Sequence, residues 1–373
     1  MKSKVAIVGA SGLVGAALCE RLFFDGEFEP VPLLHNLGRG ARVGRLGIAL
    51  QVADLLDRRQ VLEAISGCEY IVNCSRNGAA VMINGLRNLL HAAQKTNAKG
   101  LIHISSAAIY GNPVSDVVIT ERTRPQPADE YAAVKLRQDE IVLRHASSLR
   151  CMILCPPTIS GPYSEFALGL TQAFRQGVVP LVDEGRGYAN VVHVDNLVEA
   201  IIAAIRNDQG WGELYLINQI EKRTWLEFLE DIRRMLGLRS DFVPVSSKQL
   251  HTPTSRRDRR RLLDNCKVLL SGEFRSALSL FPAFRALNER AYLWFNSRSP
   301  AFQSWVRRYV QQPVMIPKRS TQRSVDDYLV RIQARKAYYS PEKLVNCLRY
   351  RPILSYEQEL QTLRSWLEFA ALV

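Results

Sequence analysis

Short apolar runs alternate with amphipathic stretches through the first half of the chain. Lys4-Val5-Ala6-Ile7-Val8 is strand-length and rich in β-branched residues, and residues 16–23 then repeat at helical spacing. Further strand-like runs fall at 30–35, 48–52, 70–74, 101–105 and 150–155, with helical stretches at 58–66, 81–95 and 129–145 between them. Nearly continuous apolar strands separated by helices are buried on both faces. The pattern therefore predicts an α/β fold built on a doubly wound parallel sheet.

From Pro156 the rhythm loosens. Pro156-Pro157 and Gly161-Pro162 mark a loop, 166–176 reads as a helix, and 190–194 as a strand. Asp195 is expected to cap the helix through 200–202. A strand at 213–217 and a helix starting near Thr224 continue a smaller lobe, and 338–372 looks compact and helical. The expected organisation is a dinucleotide-binding domain over 1–160, to which 188–206 returns. An interleaved C-terminal substrate lobe takes 161–187 and 207–373, with a basic helical insertion at 239–336.

Composition refines this picture in three places. At 373 residues with 47% hydrophobic content, the chain can bury a large core. No apolar run approaches the roughly 18 residues of a membrane-spanning helix. Lys2 and Lys4 precede only a strand-length apolar stretch, so no signal peptide is expected. The net charge of +13 is concentrated: 20 Lys/Arg against 7 Asp/Glu lie between Arg239 and Lys336, leaving 29 of each sign elsewhere. The basicity is thus a property of the insertion. Seven cysteines, odd in number and mostly in apolar elements, fit reduced core thiols in a cytoplasmic protein, and Cys151 and Cys155 lack partners for a metal site.

Two motifs carry candidate chemistry. Gly9-Ala10-Ser11-Gly12-Leu13-Val14-Gly15 stands between the first strand and the first helix. There glycines allow a sharp exit, a close approach of pyrophosphate to the helix N-terminus, and tight helix–sheet packing. A packing turn without a ligand is the alternative, and the spacing is G-x-x-G-x-x-G. Tyr131 and Lys135 lie four apart on a helix, so they share one face. A nearby ammonium favours a phenolate, which would make Tyr131 a usable acid or base. Ser106 ends the preceding strand and could hold the reacting oxygen. On its own, a Tyr–Lys pair at this spacing is more often solvent-exposed decoration. In a doubly wound sheet the strand ends form the ligand crevice, and all three motifs would converge there.

Taken together these residues resemble the extended short-chain dehydrogenase/reductase superfamily, the NAD-dependent epimerases, dehydratases and reductases that often act on nucleotide sugars. The similarity covers about 1–236 and 337–373. It implies a Rossmann fold, an enzyme, a catalytic set of Ser106, Tyr131 and Lys135, and no metal. Lys135 would also grip the ribose. Cofactor contacts would come from Gly9, Ser11, Gly12, Leu13, Val14, Gly15, His35, Arg39, Asp54, Leu55, Cys74, Tyr131, Lys135 and Pro157. Leu154 to Pro162 resembles the family's loop at nicotinamide and substrate, Val192 to Asn196 its late strand–helix signature, and Tyr339 to Glu357 its last segment.

The departures narrow the reading. His35 stands where NAD-using members end the second strand in an acid, and Arg39 and Arg42 follow. A 2′-phosphate would be welcomed there, so NADP is favoured over NAD. Ala107 and Ala108 replace the acidic pair of the dehydratases. Ala189 stands where an arginine commonly grips the nucleotide diphosphate, with Arg186 the nearest substitute. The family's helix asparagine falls at Met82, near Asn84 and Asn88. His103 and His193 read as core residues, and His91 and His145 lie late in helices.

The insertion admits three readings: a solvated cap over the substrate cleft, a dock for an anionic membrane surface through its aromatic and arginine residues, or a nucleic-acid contact. The last ranks lowest because no recognised module accompanies the charge. The expected activity is hydride transfer at a secondary alcohol or ketone. A nucleotide sugar is the first substrate class, giving an epimerase or a reductase. A lipid-linked or steroid-like alcohol, handled at a membrane surface, is the second. A non-catalytic NAD(P)-binding regulatory protein is the rival from another class. A cytoplasmic location, peripheral at the membrane if the insertion docks there, and a homodimer are compatible with these readings.

Overall fold

The computed structural model describes residues 2–113, 115–247 and 328–373. All of them belong to one compact unit. Most of the basic insertion, including the arginine run at 256–261, its aromatic stretch and Cys266, lies outside the described residues. The expectations about membranes and nucleic acid fall there.

Strand β1 (Lys4–Val8) leads into α1 (Leu13–Asp25), and β2 (Glu29–Leu34) into the short α2 (Ala41–Gly44) and β3 (Gln51–Val52). Next come α3 (Arg58–Ile65), β4 (Tyr70–Asn73), α4 (Leu86–Lys95), β5 (Gly100–Ile104), β6 (Val118–Ile119), α5 (Glu130–His145) and β7 (Cys151–Cys155). The second part contains β8 (Thr158–Ser160), α6 (Glu165–Arg175), β9 (Val178–Val182), β10 (Val191–His193), α7 (Val194–Arg206), β11 (Leu214–Leu216), α8 (Trp225–Leu236) and β12 (Asp241–Val245). It closes with β13 (Tyr338–Tyr339), α9 (Glu342–Leu348) and α10 (Tyr356–Phe369).

Seven strands form one parallel sheet in the order β11-β7-β5-β4-β1-β2-β3, the doubly wound Rossmann arrangement. Helices α1 and α7 cover one face through Leu18, Leu22, Leu197 and Ile201; α3, α4 and α5 cover the other through Val61, Leu89, Leu90 and Ile141. Burial on both faces explains why β1, β5 and β7 read as continuous apolar runs. The smaller lobe has its own core, where Phe174, Trp225, Phe228, Leu363 and Leu367 meet between α6, α8 and α10. Parallel pairs β8–β10, β9–β12 and β6–β13 complete it.

Three expectations change. Leu214–Leu216 was expected in the substrate lobe, but it pairs with β7 and forms an edge of the main sheet. The third strand shrinks to Gln51–Val52. Asp195 is not the cap of α7: the His193 ring takes that place, its Nδ1 accepting the Asp195 N–H at 3.2 Å. Buried histidine can supply an acceptor there without introducing a charge, and burial pushes its pKa down. Among the described residues no helix is long and apolar enough to cross a membrane.

Candidate functional site

The ends of β1, β4 and β5 meet at the C-terminal edge of the sheet, where the strand order reverses. Gly9 leaves β1 at φ +82°, a conformation that disfavours L side chains, and a Cβ there would lie 3.0 Å from the Cys74 carbonyl. A Cβ on Gly15 would come within 2.4 Å of the Gly9 carbonyl oxygen, so α1 packs closer than any side chain permits. Gly12 caps α1 with no side-chain hydrogen bond and no acid in the first turn. The first-turn N–H groups and the positive end of the helix are thus not satisfied by a side chain, as an anionic pyrophosphate requires. Ser11 is exposed beside them, Leu13 half-buried and Val14 buried. The cradle fits a dinucleotide.

At the end of β2, His35 and Arg39 are exposed, and Asn36 closes the turn by accepting the Gly38 N–H at 2.7 Å. Arg42, expected to add positive charge for a 2′-phosphate, is instead paired with Glu20 at 2.9 and 2.6 Å and covers the Tyr163 ring at 4.1 Å. Arg45 joins the same carboxylate at 2.8 Å. Burial pushes the Glu20 carboxyl up, but the two guanidiniums outweigh it and hold it below its usual range. Arg42 is therefore neutralised. Asp54 accepts the Leu56 N–H at 2.9 Å, and the Leu55 carbonyl receives Asn88 Nδ2 at 2.8 Å, which pins this loop to α4.

Ser106 caps a helical turn over Ala107–Tyr110, its Oγ accepting the Ala108 N–H at 3.3 Å. It lies near enough to the Tyr131 side chain to favour the phenolate. Asp129 caps α5 through the Ala132 N–H at 2.8 Å, which sets the helix start and carries Tyr131 to the end of β5. The structure thus brings Ser106 and Tyr131 together. Lys135, one turn on, is buried and donates from Nζ to the Ile104 carbonyl at 2.8 Å.

The electrostatics depart from expectation. Burial raises the Tyr131 pKa above its ordinary value, and the opposing influences are Arg76 and the nearby Ser106 hydroxyl. Arg76, from the loop after β4, lies 5.0 Å from the centre of the Tyr131 ring and was not anticipated. Lys135 itself is pulled down by burial, with Asp139 the largest charge acting the other way. Asp139 sits on the same helical face at the next turn, a spacing that could have exposed it in the sequence. Burial also pushes the thiol of Cys74 up to about 12, so it stays protonated at the cradle's edge. Pro157 lies half-buried after β7.

Other nominated side chains have different partners. Asn84 accepts from Arg87 at 3.2 Å, and Asn88 from Arg58 at 3.0 Å. The Met82 carbonyl, in a π-helical turn over Val81–Gly85, receives Gln138 Nε2 at 2.7 Å. Arg186 is exposed and paired with Glu184, and Ala189 is buried in the small lobe's core. His103 is fully buried, and His145 ends α5 with Nδ1 2.9 Å from the Ile141 carbonyl.

Comparison with known proteins shows the family and the fold. The model of the NAD dependent epimerase/dehydratase family matches residues 5–217. A UDP-glucose 4-epimerase of Streptomyces lividans is 25% identical over 273 residues, covering 64% of this chain and 82% of that protein. The N-acetyl-alpha-D-glucosaminyl-diphospho-ditrans,octacis-undecaprenol 4-epimerase of Escherichia coli O157:H7 is 26% identical over 243 residues, 60% of this chain and 68% of its own. The chain spans 65% of the length of another curated relative, 29% identical over 267 residues. Among solved structures, a UDP-glucose 4-epimerase of Thermotoga maritima with UDP-glucose superposes with a TM-score of 0.67 at 15% identity, covering 99% of both chains.

Proposed function

Because the chain belongs to the NAD-dependent epimerase/dehydratase family, we propose that it catalyses nicotinamide-dependent epimerisation or reduction at a secondary carbinol carbon of a diphosphate-linked sugar. The observation that supports this most directly is the meeting of Ser106 and Tyr131 at the mouth of the sheet, beside the Gly9–Gly15 cradle. The nicotinamide, when bound, supplies a hydride acceptor and donor. Gly12 and the N-terminus of α1 would hold its pyrophosphate, and His35, Arg39, Asp54 and Leu55 would line the adenosine half. Ser106 would orient the substrate oxygen and Tyr131 exchange its proton. Lys135 would reach the ribose and, with Arg76, offset the charge left on the phenol. Ala107 and Ala108 provide no acid or base for loss of water, which argues against a dehydratase.

The cofactor preference rests on fewer charges than the sequence suggested. With Arg42 tied to Glu20, Arg39 is the exposed arginine at the end of β2 that favours NADP, and both NAD and NADP remain substrates for the test. A lipid-linked or steroid-like alcohol is the second substrate reading. It is favoured by Ala189 standing in place of a diphosphate-gripping arginine and by the engagement of Arg186 with Glu184. Incubation with UDP-sugars, polyprenyl-diphosphate sugars and sterol alcohols, each with NAD and with NADP, tests the reading by mass spectrometry and by absorbance of the reduced nicotinamide. An epimer or ketone formed from a diphosphate-linked sugar is expected. Turnover confined to sterols would move the activity to the second class, and cofactor binding without turnover of any would leave the regulatory role.

A further inference from the structure

One cation lies over the Tyr131 ring, and it is not the lysine of the helical pair. Arg76 follows β4 in a short loop that is tied on both sides of it. Before it, Asn73 Oδ1 accepts the Ser75 N–H at 3.1 Å and the Ser75 hydroxyl at 2.6 Å, and the Cys74 N–H reaches the Val8 carbonyl at 2.9 Å. After it, Asn77 Oδ1 accepts the Gly78 N–H at 2.8 Å. The loop also passes close against the cradle, since a Cβ on Gly9 would lie 3.0 Å from Ser75 Cα. Arg76 is exposed, and its guanidinium carbon stands 5.0 Å from the centroid of the half-buried Tyr131 ring, within the range of a cation–π contact. Among the described residues no carboxylate pairs with it, so its charge is not consumed by a neighbour.

We propose that Arg76 is a positioning residue for Tyr131: its guanidinium, lying on the ring, is the main cation that sustains the phenolate while the proton is on the substrate oxygen, a part that helical spacing alone assigns to Lys135. The role deepens the reading of Tyr131 as proton carrier and rests on it for its catalytic meaning. The two cations differ in what they face. Lys135 is buried with Nζ turned to the Ile104 carbonyl at 2.8 Å, and burial penalises its charged form. The guanidinium keeps its charge throughout the working range of pH. Groups from every side act on the phenol. Burial pushes it up, and against that stand Arg76 from the β4 loop and the Ser106 hydroxyl from the end of β5. Tyr328 and Cys155, the latter at the end of β7, act in the same direction as burial. Burial drives the Cys155 thiol up as well, so it stays protonated. On α5 itself the Asp129 carboxylate is engaged with the Ala132 N–H at 2.8 Å. Arg76 is thus the strongest of the influences that favour the phenolate.

The test reads Tyr131 directly and needs no substrate. The full-length protein is labelled with 3-fluorotyrosine, whose phenol titrates below that of tyrosine, and the Tyr131 resonance is assigned by ¹⁹F NMR with Tyr131→Phe. Its titration is followed from pH 6 to 11. In Arg76→Gln the midpoint is expected to rise by about half a pH unit or more. Arg76→Lys keeps a charge at that place and is expected to restore roughly half of the shift or more. Lys135→Met is expected to move the midpoint less than Arg76→Gln does. Salt at 1 M, where the Debye length is about 3 Å, should raise the midpoint of the parent protein and leave that of Arg76→Gln nearly in place. An unmoved midpoint in Arg76→Gln, or a larger rise in Lys135→Met, overturns the proposal. Should Lys135→Met fail to fold by circular dichroism, Arg76→Gln and Arg76→Lys decide the matter. Absence of turnover on any substrate would instead overturn the functional reading and leave this measurement intact.

Discussion

The edge of the sheet and the small lobe treat their polar residues differently. At the edge, polar side chains turn inward: Ser105 to Asp139, Asn73 to His103, Lys135 to the Ile104 carbonyl, with Ser106 beside Tyr131. In the small lobe, Arg186, the charged group nominated there for substrate binding, pairs with Glu184, and the buried carboxyl of Glu359 receives Gln219 and, from α7, Asn196, each at 2.7 Å. The contrast teaches where the specificity of this chain is written. The candidate chemical groups stand at strand ends that the fold itself aligns, whereas the small lobe takes up its polar groups in its own ion pairs and hydrogen bonds.

The sharpest way to break the comparison is Tyr131→Phe. Removing one hydroxyl at the edge should lower turnover by about 10²–10⁴-fold while nicotinamide binding, followed by fluorescence, stays within about twofold. Unchanged turnover would strip Tyr131 of its role and make the two regions equivalent.

A moderate effect is expected from Glu359→Gln in the small lobe. Burial raises the Glu359 carboxyl to about 7, despite the donors from Gln219 and Asn196. Between roughly pH 4.5 and 7 the folded chain therefore keeps a proton that the unfolded chain has released. Stability from this group is present at the acidic end and is lost as pH rises, by roughly 3 kcal/mol at most. Melting temperatures at pH 5 and pH 8 should differ less in the variant than in the parent protein. An identical pH slope would show that the carboxyl is ionised throughout and that its burial is stabilised by other groups.

The smallest effect is expected at Arg186, whose ion pair with Glu184 is exposed. Arg186→Ala should change substrate KM by less than about threefold and the melting temperature by less than a degree or two. A tenfold or larger rise in KM would place Arg186 on the substrate phosphates, and the small lobe would then carry more of the family's apparatus than its ion pairs suggest.

The legible parts were those in which neighbours along the chain are also neighbours in space. Gly9, Gly12 and Gly15 could be read because a strand, a turn and a helix lie in direct succession. Tyr131 and Lys135 could be read because helical spacing brings them to one face. Asp139 follows the same spacing one turn further on, but the residue alone does not tell a buried acid from a solvent-facing one. Arg42 misled because its partner, Glu20, lies on a different helix. Arg76 was invisible because nothing in its own loop announces the ring it covers.

The amino-acid order by itself determined the alternation of strands and helices, the glycine turn and the Ser106, Tyr131 and Lys135 set, since these depend on backbone periodicity and local sterics. Only the tertiary structure decided which charges are free and which are consumed. It seated Leu214–Leu216 at the sheet's edge, gave the α7 cap to His193, and joined Asn73 to His103 across β4 and β5 and Ser105 to Asp139 on α5. The physical reason is that a charge or a lone pair is disposed of by whatever lies within about 4 Å of it, and separation along the chain does not encode that distance.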